Sequence, residues 1–301
     1  MSATHLSKKD YLCALTVVVI WGLNFVVMKI GLKGLSPMML GALRFALAAF
    51  PLVLFVRPPR LPWQWIAAYG LLQGLGQFGL LFTALKFGMP AGMASLVIQT
   101  QAFFTLLLAA PALRERARPH HWAGLGVAAL GLAVIAGGRG EGPGQMPMLG
   151  FVLTLGAAFM WATSNIVVRL ASRKAPGYDP FAFIAWSSAA PVLPFLLLAV
   201  LADGWDAVTG MILDIGWREA LSVLYLAVLA TLLAYTLWTR LLTRHAAARI
   251  APFSLLVPVV GLWAASAAFD EQLLPLQWAG AGCVLAGLVI NQVGGRWLRN
   301  R

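Results

Sequence analysis

Residues 11–30 read Tyr-Leu-Cys-Ala-Leu-Thr-Val-Val-Val-Ile-Trp-Gly-Leu-Asn-Phe-Val-Val-Met-Lys-Ile, an apolar run long enough to cross a lipid bilayer. Lys8 and Lys9 precede it, as in a secretory leader. However, the run is longer than a leader's apolar core and no small-residue cleavage pattern follows, so the reading is an uncleaved first span. The same texture continues along the 301 residues, of which 60% are hydrophobic and 11% charged. Soluble domains are about 25% charged, so no soluble domain is hidden in the chain. Apolar stretches lie near 11–31, 37–56, 63–85, 91–111, 120–138, 149–169, 180–201, 217–239, 247–269 and 276–294. They are apolar throughout rather than alternating, which predicts helices and not barrel strands. The expected fold class is therefore all-α integral membrane, with ten transmembrane helices.

Charge orients these spans. Alternate loops collect Lys8, Lys9, Arg57, Arg60, Arg114, Arg116, Arg118, Arg169, Arg173, Lys174, Arg240, Arg244, Arg249, Arg296, Arg299 and Arg301 on one side. The other side holds Lys29, Lys33, Lys86, Arg139 and Arg218 with most of the acids. Positive charge stays cytoplasmic, which predicts both termini inside. This bias accounts for the net charge of +12 without a nucleic-acid partner. Cys13 and Cys283 fall within apolar runs, and nothing suggests a disulfide framework.

The first span also recurs. Trp21-Gly22-Leu23-Asn24 through Val27-Met28-Lys29 matches Trp161-Ala162-Thr163-Ser164 through Val167-Val168-Arg169. Farther on, Glu115, Pro119 and Trp122-Ala123-Gly124-Leu125-Gly126 match Glu271, Pro275 and Trp278-Ala279-Gly280-Ala281-Gly282. The acidic loop near 202–216 absorbs the change in spacing. Five spans per unit would place the second copy upside down. The expected organisation is two inverted five-helix repeats, 1–140 and 141–301, an arrangement typical of transporters with a midplane site.

These residues resemble the EamA family of the drug/metabolite transporter superfamily, over nearly the whole chain. Leu43-Arg44-Phe45 and the Glu115 and Glu271 segments fit the general pattern. Two runs are similar to exporters of O-acetylserine and cysteine. One is Phe87-Gly88-Met89-Pro90-Ala91-Gly92 through Gln101-Ala102-Phe103-Phe104-Thr105, the other Ala251-Pro252-Phe253-Ser254-Leu255-Leu256-Val257-Pro258-Val259-Val260-Gly261-Leu262. The resemblance implies a multi-pass protein of the bacterial inner membrane that exports small amino-acid metabolites. It also implies a cavity lined mainly by spans one, three, four, six, eight and nine. The family supplies no short catalytic-style motif to carry over. A broad drug/metabolite efflux pump stays as an alternative, and a membrane enzyme as a remoter one.

Site candidates follow from the cost of polar groups in lipid. Tyr69, Gln73 and Gln77 share one helix face, flanked by Gly70 and Gly74, as a cavity stripe or as interhelical glue. Ser95 and Gln99 share a face, and Gln101 with Thr105 a roughly opposite one, so one glutamine is expected to be structural. Asn24, Ser164 and Asn165 follow Trp21 and Trp161 and either bound a small polar substrate or pack. Tyr225, Tyr235 and Trp238 offer hydroxyl and ring surfaces on the eighth span. In the ninth, Pro252 and Pro258 each free a carbonyl one turn earlier, which predicts a bent helix with Ser254 and Trp263 near the cavity. Arg44, the basic residue well inside a span, either attracts a carboxylate, snorkels outward or anchors carbonyls. Lys29 is expected to snorkel at its interface.

No acid lies deep in any span, which disfavours carriers of organic cations. His5, His120, His121 and His245 are terminal or loop residues, and neither His-Glu-x-x-His nor a phosphate-binding glycine loop is present. Metalloprotease chemistry and direct ATP hydrolysis are thereby disfavoured. The expectation is a non-enzyme without cofactor or bound metal, whose partners are a small-molecule substrate and membrane lipid, as a monomer or a dimer.

Overall fold

The computed structural model describes residues 6–113, 118–137, 146–175, 177–245, 250–271 and 273–297. Among them the chain is helical, without strands. Eight helices are long and apolar enough to cross a membrane. They are α1 (Lys8–Gly31), α2 (Pro37–Phe55), α3 (Trp63–Lys86), α4 (Ala91–Leu113), α5 (Pro119–Gly137), α6 (Met148–Lys174), α7 (Pro180–Asp203) and α8 (Trp217–Leu241). Two further helices follow: α9, Ala251–Leu256 continuing as Val257–Phe269, and α10, Pro275–Trp297. The expected loop near 202–216 contains a short helix instead, Trp205–Leu213. Its Trp205 and Leu213 are exposed, while Val208 and Met211 pack it onto the core. Expected segments touching Glu115, Arg139, Glu141 and residues 247–249 lie outside the described residues.

Helix starts follow from local chemistry. Ser7 and Asp10 form a reciprocal capping box at α1. Ser36 caps α2 through the Met39 amide at 3.2 Å, and Asp179 caps α7 through the Phe181 amide at 2.9 Å. Each cap precedes a proline, Pro37 or Pro180, whose missing N–H would be an orphan there anyway. The outer surface carries Leu12, Leu54, Phe55, Leu130, Leu193 and Leu201 in exposed positions, a face that suits lipid and not water.

Packing sorts the helices into pairs. α1 lies against α9 and α8, α6 against α4 and α3, α2 against α7, and α5 against α10. The α5–α10 pair approaches through glycine. A Cβ on Gly131 would sit 2.7 Å from the Gly280 carbonyl oxygen, and one on Gly124 would sit 2.6 Å from that of Gly287. Those distances are below carbon–oxygen contact, so only hydrogen fits on either backbone. A shift of 156 residues carries Gly124 to Gly280 and Gly131 to Gly287, so the two contacts exchange partners under it.

Two kinds of helix distortion recur with similar spacing. Gly70–Phe78 in α3 and Tyr225–Leu233 in α8 are wound wide, with i→i+5 hydrogen bonds. Ile98–Thr100 in α4 and Ala251–Leu256 in α9 are wound tight, with i→i+3 bonds. In α9 the cause is visible. Pro258 cannot donate to the Ser254 carbonyl, which accepts instead from the Val257 N–H and from Gln99 Nε2 at 3.0 Å. The irregularity at Pro258 thus takes the form of tight winding, and a glutamine of α4 supplies the replacement donor.

Gly131→Leu is expected to push α5 from α10 and to cost about 1–3 kcal/mol, as overpacking does. Gly126, where an added Cβ meets nothing within 4 Å, provides the control. Thermal unfolding in detergent should show a lowered midpoint for Gly131→Leu and an unchanged one for Gly126→Leu.

Candidate functional site

A cavity of about 560 Å³ runs between α1, α3, α4, α6, α8 and α9, with α2 and α7 contributing to its walls. Buried Met28, Phe78 and Leu81 line one end. At the other end the lining includes Tyr178, Thr239 and exposed Arg169. Of the expected site residues, the structure gathers Trp21, Asn24, Arg44, Tyr69, Gln77, Gln99, Gln101, Trp161, Asn165, Tyr235 and Ser254 around this one space.

Gln99 and Gln101 both line it, against the expectation that only one could. In an α-helix, residues two apart point about 160° from each other. The i→i+3 winding of Ile98–Thr100 turns about 120° per residue and reduces that separation to about 120°. A cavity that wraps the bend of α4 then meets both side chains.

Other candidates sit one layer out. Gln73 donates to the Tyr235 hydroxyl at 2.9 Å and accepts from the Ser164 hydroxyl, which ties α3 to α8 and α6 behind the wall. Tyr225 donates to the Ile20 carbonyl of α1 at 2.8 Å and is not among the lining residues. Pro258 is buried at the start of the regular part of α9, away from the lining. Trp263 is 70% exposed and faces outward from the bundle, so it does not shape the cavity wall.

The walls are braced by side-chain bonds. Trp21 Nε1 donates to the Ala230 carbonyl at 3.2 Å, and its ring packs against Tyr235 and Trp238 with centroids 5.1 and 5.5 Å away. Asn165 Nδ2 donates to Gln101 Oε1 at 3.0 Å and to Thr105 Oγ1 at 3.3 Å. Trp21 and Tyr235 thus show rings to the cavity while their polar tips are spent on the frame.

Arg44 is the buried charge in this wall. Only 1% exposed, it neither snorkels nor holds a carbonyl. Its Nε and Nη2 donate to Thr231 Oγ1 at 3.2 and 3.0 Å, and the Thr231 hydroxyl in turn donates to Leu226 O, five residues earlier, at 2.8 Å. The guanidinium carbon lies 3.8 Å from the Phe78 ring centroid, a cation–π contact of about 2 kcal/mol when desolvated. Nη1 has no hydrogen-bond partner, and no carboxylate pairs with Arg44 among the described residues. Three residues of the same lining also carry a buried acceptor without a partner: Asn24 Oδ1, Gln77 Oε1 and Gln292 Oε1. A buried polar group without a partner costs about 1–3 kcal/mol, so four on residues around one space suit a polar guest.

Sequence reasoning missed Thr231 and Glu271. Thr231 is a hydroxyl in an apolar span, a signal shared with many packing residues. Glu271 accepts from Lys29, which does not snorkel but pairs with it at 2.7 Å. The recurrence of Glu115 and Glu271 was the available signal.

Comparison with known proteins agrees with this architecture. A model of the EamA-like transporter family matches residues 8–137 and 148–292. A "Probable amino-acid metabolite efflux pump" of Salmonella typhimurium is 46% identical, over 97% of this chain and 97% of its own. One of the same description from Escherichia coli K12 is 44% identical with the same coverage. A "Probable terminal-alkyne amino-acid exporter" of Streptantibioticus cattleyicolor is 28% identical over 95% of this chain and 93% of its own. A protein solved by crystallography shares the fold, with TM-score 0.64 and 22% identity over 97% of this chain and 99% of that one. With its apolar helices, its central cavity and a family match across nearly its whole length, the chain belongs to the EamA-like transporter family and is a multi-span membrane protein that carries small molecules.

Proposed function

We propose that the chain is a secondary transporter that exports small amino-acid metabolites, cysteine, O-acetylserine or similar, by alternating access. Ten transmembrane helices form two inverted repeats, 1–140 and 141–301, with both termini cytoplasmic. Three recurrences support the inverted arrangement: the wide turns of α3 and α8, the tight turns of α4 and α9, and the exchanged glycine contacts of α5 and α10. Two relatives described as amino-acid metabolite efflux pumps, each more than 40% identical, support the cargo class.

The observation that carries the reading is Arg44. Arg44 lines the cavity, and its buried Nη1, without a protein carboxylate or other partner, suits the carboxylate of an amino acid. The open carbonyl oxygens of Asn24 and Gln77 suit the ammonium group, which as a charge-bearing donor needs acceptors but not a formal negative charge. Tyr69, Gln99, Gln101, Trp161, Asn165, Tyr235 and Ser254 complete the wall, and Gln73 with Ser164 steadies it from behind. One observation favours the alternative of a broad-specificity drug/metabolite efflux pump. The cavity volume falls within the range of about 300–1,000 Å³ that accommodates drug-sized ligands, so size alone does not select a small amino acid.

Proteoliposomes loaded with labelled cysteine or O-acetylserine test the assignment. Arg44→Gln removes a charge-assisted contact of about 1.5–3 kcal/mol, an expected loss of roughly 10–100-fold in transport, with Arg44→Lys partly restoring it. Amino-acid amides, which lack the carboxylate, should compete poorly. Full transport by Arg44→Gln would remove the arginine from the site. Undiminished competition by apolar cations would favour the broad pump.

Topology is tested separately. Phosphatase fusions at either terminus should be silent and cytoplasmic reporters active, with the sign reversed in the loop after α7.

A further inference from the structure

Next to Met28, which lines the cavity, Lys29 meets a carboxylate brought from beyond α9, that of Glu271. Asp270 ends α9 in the left-handed region, at φ 53°, and so turns Glu271 back over the start of α4. There Glu271 Oε1 accepts from the Ala91 amide at 2.9 Å, and Oε2 accepts from the Gly92 amide at 3.1 Å. Pro90, at the cap position, offers no side chain for this task. A helix start in an apolar environment needs acceptors for its first amides and favours negative charge, and here another helix supplies both. Lys29, in the last turn of α1, binds Glu271 Oε1 at 2.7 Å and lies 4.9 Å from the Phe269 ring centroid.

The contact joins three helices that line the cavity. Below it α4 and α9 touch closely: a Cβ on Gly92 would meet Leu262 at 3.0 Å, and one on Gly261 would meet the Ser95 hydroxyl at 2.5 Å. Past the tight turns their neighbours differ. The Gln101–Leu113 part of α4 packs on α6, and Ala251–Leu256 of α9 packs on α1 and α10. Access from the Lys29 end therefore requires α4 and α9 to part above the turns, and Glu271 holds them there. In the sequence repeat, Lys29 corresponds to Arg169 and Glu271 to Glu115, so a base and an acid recur at matching positions.

We propose that Glu271, Lys29 and the first amides of α4 form a latch that closes the Lys29 end of the cavity and must release in each transport cycle. The proposal rests on the alternating-access reading but not on the identity of the cargo. Release breaks no covalent bond: it exchanges the carboxylate's partners for water entering from the Lys29 end. Because the carboxylate serves a helix start as well as a cation, exchanging the two charges does not restore it. An ammonium at position 271 would face the positive end of α4.

The test reads access rather than transport. In a background with Cys13→Ser and Cys283→Ala, Leu81→Cys places a thiol on the cavity lining. A membrane-impermeant maleimide is applied separately to each face of oriented vesicles. Glu271→Gln should raise the rate of labelling from the Lys29 face at least tenfold. The double variant Lys29→Glu with Glu271→Lys should also remain fast. An unchanged rate in folded Glu271→Gln, or a wild-type rate in the charge-exchanged variant, overturns the latch. If Glu271→Gln does not fold, Lys29→Gln, which keeps the cap on α4, is read by the same criterion with a smaller expected rise of about threefold. Labelling that shifts while Arg44→Gln leaves transport intact would sustain the latch and reject the cargo assignment.

Discussion

A hydrocarbon solvent offers no hydrogen bond to a main-chain amide or carbonyl, and the rest of the structure depends on that constraint. Regular helices meet it along most of their length. Where winding changes, in α3, α4, α8 and α9, bonds of a different span or a side chain from a neighbour must take over. The Ser254 carbonyl, denied its usual donor by Pro258, accepts from the Gln99 amide across the α4–α9 contact. The start of α4, left without a cap by Pro90, is served by Glu271 from beyond α9. The irregular backbone of the α4–α9 pair is therefore repaired by groups of the opposite partner, which couples the two helices at the places where they bend.

The same constraint explains why the cavity is polar only in spots. Most hydroxyls and amides on the inward faces are engaged in the frame: Trp21 with Ala230, Tyr225 with Ile20, and Gln73 with Tyr235 and Ser164. The atoms left over, on Arg44, Asn24, Gln77 and Gln292, give the cavity its chemical character. Arg44 keeps its charge without a protein carboxylate because Thr231 and the Phe78 face partly replace its hydration. A fully compensated arginine would be a strut. One with an unpartnered donor has capacity to spare for a guest.

Much of this was legible before any coordinates. Apolar length located the helices to within a few residues, since a continuous run of bilayer length has no other stable form. Intramembrane polarity selected eleven residues that do line the cavity, because polar groups in lipid collect where water or substrate replaces it. Periodicity misplaced others. It assumed regular helix through Ile98–Thr100 and so separated Gln99 from Gln101. Trp263, expected near the cavity, faces outward, since an indole at a membrane surface is as well satisfied by lipid as by a cavity. Lys29 read as a snorkelling interface lysine because its partner lies 242 positions away.

By itself, then, the amino-acid sequence determined a helical membrane protein of this transporter family, since apolar length, loop charge and recurring segments are one-dimensional quantities. The tertiary structure alone decided which polar atoms are left unpaired, which helices bend toward each other, and that Glu271 and Lys29 meet over the start of α4. Those outcomes depend on donors and acceptors far apart in the chain competing for one another, and that competition is settled only when the helices are packed side by side.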